Sequence, residues 1–376
     1  MEYLGIDWSY RRAAWCSLSD AGAIVGEGAV PADADGLARL VIERGTDVRA
    51  VVEMMSGAIW VAISSLRRAG GCRSPMRARS VTSRRWRARP TRSTRVCWPS
   101  SPAVDLVPEL WVPPLQDREL RERLRRRMHL VRMRASAMNR IFGLQTQWGL
   151  RLSLQRLRAP DAMTLLERQG MPAVWRGSIA EALDVIELLD GRITPIDHEL
   201  RPLARADARV ILLDTIPGIG DLLGLTLASE IGDVARFGSP RKLIGYPGLA
   251  PKINQSGDRS RTGALSKAGS RTLRWAAVEA AQHAWRPTNP WHPLYTDLAK
   301  RAGKNPAKAA VARKILIAAW HVLSRQQPFK PAAPRRPDPA SASQFHAGPS
   351  GGQKAAGARR GSSHAHSAPT RAPKEK

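Results

Sequence analysis

Three groups of residues in this chain have types and spacings suited to phosphoryl chemistry. The first is Asp7, in Leu4-Gly5-Ile6-Asp7-Trp8-Ser9, together with Glu53, which ends Val48-Arg49-Ala50-Val51-Val52-Glu53. A carboxylate at the end of a buried strand is costly unless it is paired or binds a cation. Two such carboxylates at one sheet edge can hold Mg2+, which activates water and stabilises a leaving oxygen. The alternative is one acid each at a helix cap or a surface turn. The second group is Ser256, beside Gly257 and followed by Arg259, Arg261 and Lys267. Nearby cations ease ionisation of a hydroxyl and stabilise phosphoryl oxygens, so Ser256 is a candidate nucleophile. No histidine lies near it in the sequence, and a turn-forming serine is the competing reading. The third group is Ile216-Pro217-Gly218-Ile219-Gly220, just ahead of an apolar segment from Asp221 to Asp233. A Pro-Gly-x-Gly turn between two helices exposes backbone N–H groups at a helix N-terminus, which suits a phosphate oxygen. This is a helix-hairpin-helix signature, with Pro217, Gly218 and Gly220 as candidate nucleic-acid contacts. A tight turn that merely packs two helices needs the same glycines.

Elements must hold these groups in place. Residues 2–9, 13–18 and 23–30 read as strands, with Asp20-Ala21-Gly22 as a hairpin turn. Residues 33–44 have helical spacing, residues 48–53 read as a strand, and 58–69 as another helix. This β-β-β-α-β-α order is that of an RNase H-like fold. On that topology the strands bearing Asp7 and Glu53 are neighbours. Residues 115–147 form a long amphipathic helix, with Leu120, Leu124, Met128, Val131, Met138 and Ile141 along one face. It packs either on its own domain or as a dimerising coiled coil. A second long helix spans 178–206, with Ile179, Leu183, Ile186, Leu189, Ile193 and Ile196 as its stripe. Residues 209–325 read as a compact helical region, in which 245–269 is a long Gly-rich polar loop. Loops of that kind on a rigid scaffold tend to carry function. After about residue 328 the chain is rich in Pro, Ala, Ser, Gly and basic residues, the composition of a disordered tail.

Composition narrows the partners. The chain has 376 residues and a net charge of +28, which favours a polyanion, since basic residues that neutralise phosphates release counterions. Cys16, Cys72 and Cys97 have neither zinc-site nor disulfide-framework spacing, so a reducing, cytoplasmic location with nucleoid association is expected. The N-terminus lacks signal-peptide architecture and no long uncharged apolar run is present, so no membrane segment is expected.

The segments around Asp7, from Val51 to Trp60, and from Leu212 to Ala281 together resemble the DEDD-type insertion-sequence transposases, a family of bridge-RNA-guided recombinases. The C-terminal likeness covers roughly 209–325, the N-terminal one about 1–70, and the helices of 106–206 fit the family's connecting coiled coil. The resemblance implies an α/β RuvC-like (RNase H-fold) domain over 1–105 whose four acids bind Mg2+. It implies connecting helices over 106–206, an all-α transposase domain with a nucleophilic serine over 207–326, and a basic tail over 327–376. It also implies DNA cleavage and strand transfer, a guide RNA, and a homo-oligomer (dimer or tetramer) with composite active sites. Asp7 then corresponds to the first acid, Glu53 to the second, and Ser256 in Gln255-Ser256-Gly257 to the serine.

The third and fourth acids belong in a Lys-Thr-Asp-x-x-Asp-Ala motif near residues 90–100, where this chain has none. Residues 72–104 hold nine arginines and no Asp or Glu, and show neither helical nor strand periodicity. Asp105 opens the family's downstream segment and is no substitute. The Arg-, Ser-, Pro-, Trp- and Cys-rich composition is that of GC-rich DNA read out of frame. With permissible codons, a two-nucleotide shift makes 72–104 read as a strand, loop and helix containing Lys-Thr-Asp-Lys-Val-Asp-Ala. The missing Asp codons then straddle Pro90/Thr91 and Ser93/Thr94. Two other readings compete. One is an actin-like ATPase, which shares the strand order, but the chain lacks a second Asp-Gly-rich phosphate loop and an adenosine motif. The other is a non-catalytic helix-hairpin-helix DNA-binding protein.

Overall fold

A computed structural model describes residues 2–45, 48–53, 60, 61, 64, 79–81, 111–256 and 259–331. The chain divides into two units, Met1–Pro328 and Phe329–Lys376, and of the second only 329–331 are described. The fold is mixed α/β and mostly helical.

The first three N-terminal segments build a sheet. Strands β1 (Glu2–Trp8), β2 (Arg12–Leu18) and β3 (Ile24–Pro31) pair antiparallel in sequence order. Of these, β1 and β2 are largely buried and β3 is mostly exposed. The turn at Asp20-Ala21-Gly22 closes with Gly22 N–H donating to the Ser19 carbonyl at 2.9 Å, and Gly22 has φ +79°. Helix α1 (Ala34–Arg44) follows, capped by Asp33, whose carboxylate accepts from Gly36 N–H at 2.8 Å. Strand β4 (Val48–Glu53) then returns parallel to β1. Leu4, Ile6 and Trp8 of β1 share one core with Leu37 and Leu40 of α1 and with Val48, Ala50 and Val52 of β4. Period two on the strands and period three-to-four on the helix thus meet on one sheet face.

A fifth strand, β5 (Arg79–Val81), pairs parallel to β4 and completes the order β3-β2-β1-β4-β5. This corrects the expectation that 72–104 holds no strand. Main-chain N–H and C=O groups on the open edge of β4 need partners whatever the side chains are, so three residues suffice. The rest of 72–104 lies outside the described residues, as does the helix expected over 58–69 except for residues 60, 61 and 64.

Helix α2 (Leu115–Gln147) has the expected bounds, and Leu120, Leu124, Met128 and Ile141 are buried. Two short helices follow, α3 (Leu154–Leu157) and α4 (Ala162–Arg168). The second long helix, α5, runs Ala173–Ala206 and so starts ahead of the expected residue 178. Trp175 in that extra turn packs edge-on against Trp148 with ring centroids 5.7 Å apart. Pro195 and Pro202 sit inside α5, each removing a helical hydrogen bond. The helix persists because Ile193, Ile196 and Leu200 remain buried beside them. The stripe of α2 packs on α5 of the same chain. Ion pairs tie the two helices, Arg127 to Asp197 and Arg134 to Asp190 at 2.6 Å.

The C-terminal region contains α6 (Ala208–Asp214), α7 (Asp221–Ile231), α8 (Pro240–Gly245), α9 (Arg271–Ala280), α10 (His292–Ala302) and α11 (Lys304–Arg325). Helix α11 buries Val311, Ile315, Leu316 and Ala319 and packs on α6, α8, α9 and α10. One difference from the sequence expectation bears on the site. The stretch 245–269 is not loop throughout: β6 (Pro251–Ser256) and β7 (Arg259–Leu265) form an antiparallel two-stranded ribbon. Its polar sequence hid it, because main-chain hydrogen bonds can hold a ribbon without apolar alternation along it. No helix among the described residues is long and apolar enough to cross a membrane. Residues 332–376, where the basic tail is expected, lie outside the described ones.

Candidate functional site

Asp7 and Glu53 are brought together by register. Ile6 lies opposite Val52 in the parallel pair, so Asp7 and Glu53, next along each strand, end level at the same edge. Asp7 is half-buried and lies opposite Ala14 on β2. Among the described residues no cluster of three or more His, Cys, Asp or Glu is suited to a metal ion.

Ser256 is the last residue of β6 and pairs across the ribbon with Arg259, the first of β7. Gly257 and Asp258 between them lie outside the described residues, and Arg261 pairs with Asn254. The ribbon's base is fixed by main-chain bonds. Ser266 N–H donates to Ala250 O at 2.9 Å, and Lys267 N–H to Gly248 O at 3.0 Å. Lys267 is exposed, with a left-handed φ of +52°. Its carbonyl is held by Arg274, which donates to Lys267 O at 3.0 Å and to Pro247 O at 2.6 Å.

Behind the ribbon lies a buried polar network that the sequence reading missed. Glu230, 3% exposed near the end of α7, pairs with Arg125 at 3.2 Å and accepts from the Ser270 hydroxyl at 2.9 Å. Ser270 also caps α9 by accepting from Leu273 N–H at 3.1 Å. Arg121, on α2, donates to Ser229 O at 2.8 Å and Glu230 O at 3.1 Å, satisfying carbonyls at the end of α7. Burial holds its guanidinium below the usual arginine range, against the opposing pull of Glu230. Arg236 adds bonds to Ile231 O and Glu230 O and lies 4.1 Å over the rings of Trp111 and Phe237. The available signal was a lone glutamate in an otherwise apolar helix, since a buried carboxylate demands partners.

The turn 216–220 joins α6 to α7. Ile216 and Ile219 are buried beneath it, and Gly218 takes φ +95°. A Cβ on Gly218 would stand 2.3 Å from Ala280 O, so the turn is pressed against the end of α9. A cleft of about 370 Å³ opens there, with the turn 217–220 on one side and His283, Arg286, Thr288 and Asn289 on the other. Pro217, Gly218 and Gly220 thus share one site, whereas the 283–289 wall was not expected from the sequence.

Residues 211–296 match the family described as Transposase IS116/IS110/IS902. That span holds the turn, the cleft, the ribbon and Ser256. Over that span the chain is similar to the transposase domain of the IS116/IS110/IS902 family. Curated proteins similar to this chain point the same way. A probable family 20 transposase of Pseudomonas aeruginosa is 28% identical over 62% of this chain and 70% of its own length. The transposase for insertion sequence element IS1111A of Coxiella burnetii is 27% identical over 57% of this chain and 61% of its own. A pilin gene-inverting protein of Moraxella bovis is 31% identical over 36% of this chain and 45% of its own. Both of the first two relatives are named transposases, and the chain spans about 60–70% of their length.

Proposed function

We propose that the protein is an insertion-sequence transposase that acts on DNA by cleavage and strand transfer, and that the chain as written has lost the cleavage step. The observation that carries the first half is the transposase-domain match over 211–296, the span that contains Ser256 and the Gly-rich turn. The observation behind the second half is the absence of any acid in 72–104.

The finer reading follows the residues. The order β3-β2-β1-β4-β5 supports an RNase H-like first domain over 1–105, with connecting helices over 106–206 and the transposase domain over 207–326. The α6–turn–α7 unit supports a helix-hairpin-helix that grips phosphate through Pro217, Gly218 and Gly220. Ser256 is the nucleophile: its Oγ bonds to a backbone phosphorus, its proton passes to a general base, and a DNA hydroxyl leaves. Arg259, Arg261 and Lys267 are positioned in sequence to neutralise the phosphoryl oxygens. Asp7 and Glu53 are the residues that would hold Mg2+, which when bound supplies charge stabilisation at the phosphoryl oxygens. A guide RNA and a homo-oligomer belong to the same reading. The two-nucleotide frame shift over 72–104 accounts for the missing partners of Asp7 and Glu53.

The second reading, a non-catalytic DNA-binding protein, is favoured by that same acid-free segment. One comparison separates the two. Purified chain of this sequence is expected to bind element-end DNA without Mg2+-dependent cleavage. A version with 72–104 restored to the shifted frame is expected to cleave, and Ser256→Ala in that version is expected to abolish cleavage while binding persists. Cleavage by the chain as written overturns the loss. A restored version that binds and never cleaves overturns the enzymatic reading.

A further inference from the structure

The cleft between the turn 217–220 and the 283–289 wall is lined by one cationic side chain, no carboxylate and several hydrogen-bond donors. The main-chain N–H groups of Gly218 and Gly220 have no protein acceptor among the described residues. Arg286 is exposed and forms no ion pair among the described residues; its guanidinium sits 5.7 Å from the Trp285 ring. His283 offers a ring N–H in either tautomer, and Thr288 a hydroxyl. Asn289 is buried, and its Oδ1 accepts from Trp291 N–H at 3.0 Å, so its side-chain NH2 is what remains to offer. No carboxylate lines the cleft, and Asp221, the nearest acid in sequence to the turn, is not part of its wall.

A cleft that holds an unpaired guanidinium and free main-chain N–H groups but no carboxylate favours an anion, and its open form suits a phosphate within a chain rather than an enclosed small molecule. Trp285 stands beside it, 56% exposed, an unusual position for the largest apolar side chain. An exposed indole next to an arginine is the pairing that stacks a base while its backbone phosphate is held.

We propose that this cleft is a nucleic-acid subsite in which Arg286, His283 and the Gly218 and Gly220 amides hold one backbone phosphate while Trp285 stacks on an adjacent unpaired base. The inference rests on the reading of the protein as a transposase and adds a second wall to the turn already assigned to DNA. A base free to stack on Trp285 belongs to a strand that is single or opened at that point, so the subsite favours single-stranded over duplex ligand.

The test uses the full chain with duplex DNA, single-stranded DNA and RNA of equal length. Fluorescence anisotropy across a salt series gives affinity and salt slope, and amide hydrogen exchange reads the cleft directly. Arg286→Ala is expected to weaken all three ligands by about five- to tenfold and to lower the salt slope by about one. Trp285→Ala is expected to weaken the single strands by about tenfold and the duplex little. Arg301→Ala, which removes the same charge on α10 away from the cleft wall, is expected to leave affinity near the parent value. Segments 216–221 and 283–289 are expected to gain protection on binding. Equal effects from Arg286→Ala and Arg301→Ala, or bound nucleic acid with no protection at those segments, overturn the subsite and leave the transposase reading standing. Parent chain that binds none of the three ligands overturns both. Preference between DNA and RNA decides which strand the subsite serves.

Discussion

At the scale of single residues, Gly218 and Glu230 do opposite jobs in the same small region. Gly218 is demanded by geometry, because both its φ and the closeness of Ala280 O exclude a side chain. Gly218→Ala is therefore expected to cost roughly 2–4 kcal/mol by combining left-handed strain with a steric clash. Thermal denaturation followed by circular dichroism checks this, and an unchanged midpoint would mean that the turn can move away from α9. Glu230 is demanded by partners instead. Its buried carboxylate is tolerated only because Arg125 and Ser270 meet it, and Ser270 in turn starts α9 directly after the ribbon's base. The chain of contacts Arg121–Glu230–Ser270 thus links a connecting helix to the frame that carries Ser256.

At the scale of elements, α2 and α5 are joined by apolar stripes and by arginine–aspartate pairs on their flanks. Asp190 meets two arginines, Arg134 at 2.6 Å and Arg158 at 3.0 Å. The hydrogen bond from Arg134 is the largest influence holding its carboxyl below the usual range, with burial opposing and Arg158 assisting. A carboxyl whose folded value is depressed stabilises the fold above its ordinary value, and that contribution is lost as the pH falls toward the folded value. Between about pH 5 and pH 3 the parent chain is expected to lose more thermal stability than Asp190→Asn, which lacks the titrating group. Since the pair is solvent-accessible, the difference is expected to shrink in high salt. Parallel acid-induced losses in the two proteins would assign the acid sensitivity elsewhere. The element that sequence periodicity missed, the β6–β7 ribbon, bears on the proposed role of Ser256. It places Ser256 at the end of a strand, opposite Arg259, rather than at an arbitrary point in a loop.

At the scale of the whole molecule, a charge of +28 makes nucleic-acid affinity strongly salt-dependent whether or not the catalytic residues are complete. On the proposed reading, binding can therefore be measured separately from cleavage. The nucleotide sequence of codons 70–106 is expected to be compatible, in the shifted frame, with Lys-Thr-Asp-Lys-Val-Asp-Ala. Codons that forbid that reading sink the frame-shift account and leave the acid-free segment as an ancestral loss by substitution.

Much of this was already legible in the residues. The strands and helix of 2–53 and the bounds of α2 follow from local periodicity, because burial on one face repeats every two or every three to four residues. The Pro-Gly-x-Gly turn was legible because positive φ strongly favours glycine. The likeness to the transposase family was legible because the residues that carry it lie close together along the chain, from 211 to 296. Tertiary structure alone decided what depends on distant pairing. Register sets Asp7 level with Glu53, main-chain edges recruit β5 from a segment with no strand pattern, and the 283–289 wall closes on a turn more than sixty residues earlier. Main-chain hydrogen bonds and cleft walls are indifferent to side-chain period, so no one-dimensional pattern announces them. Register thus sets Asp7 level with Glu53, whereas the absence of Asp and Glu from 72–104 is a property of the sequence itself.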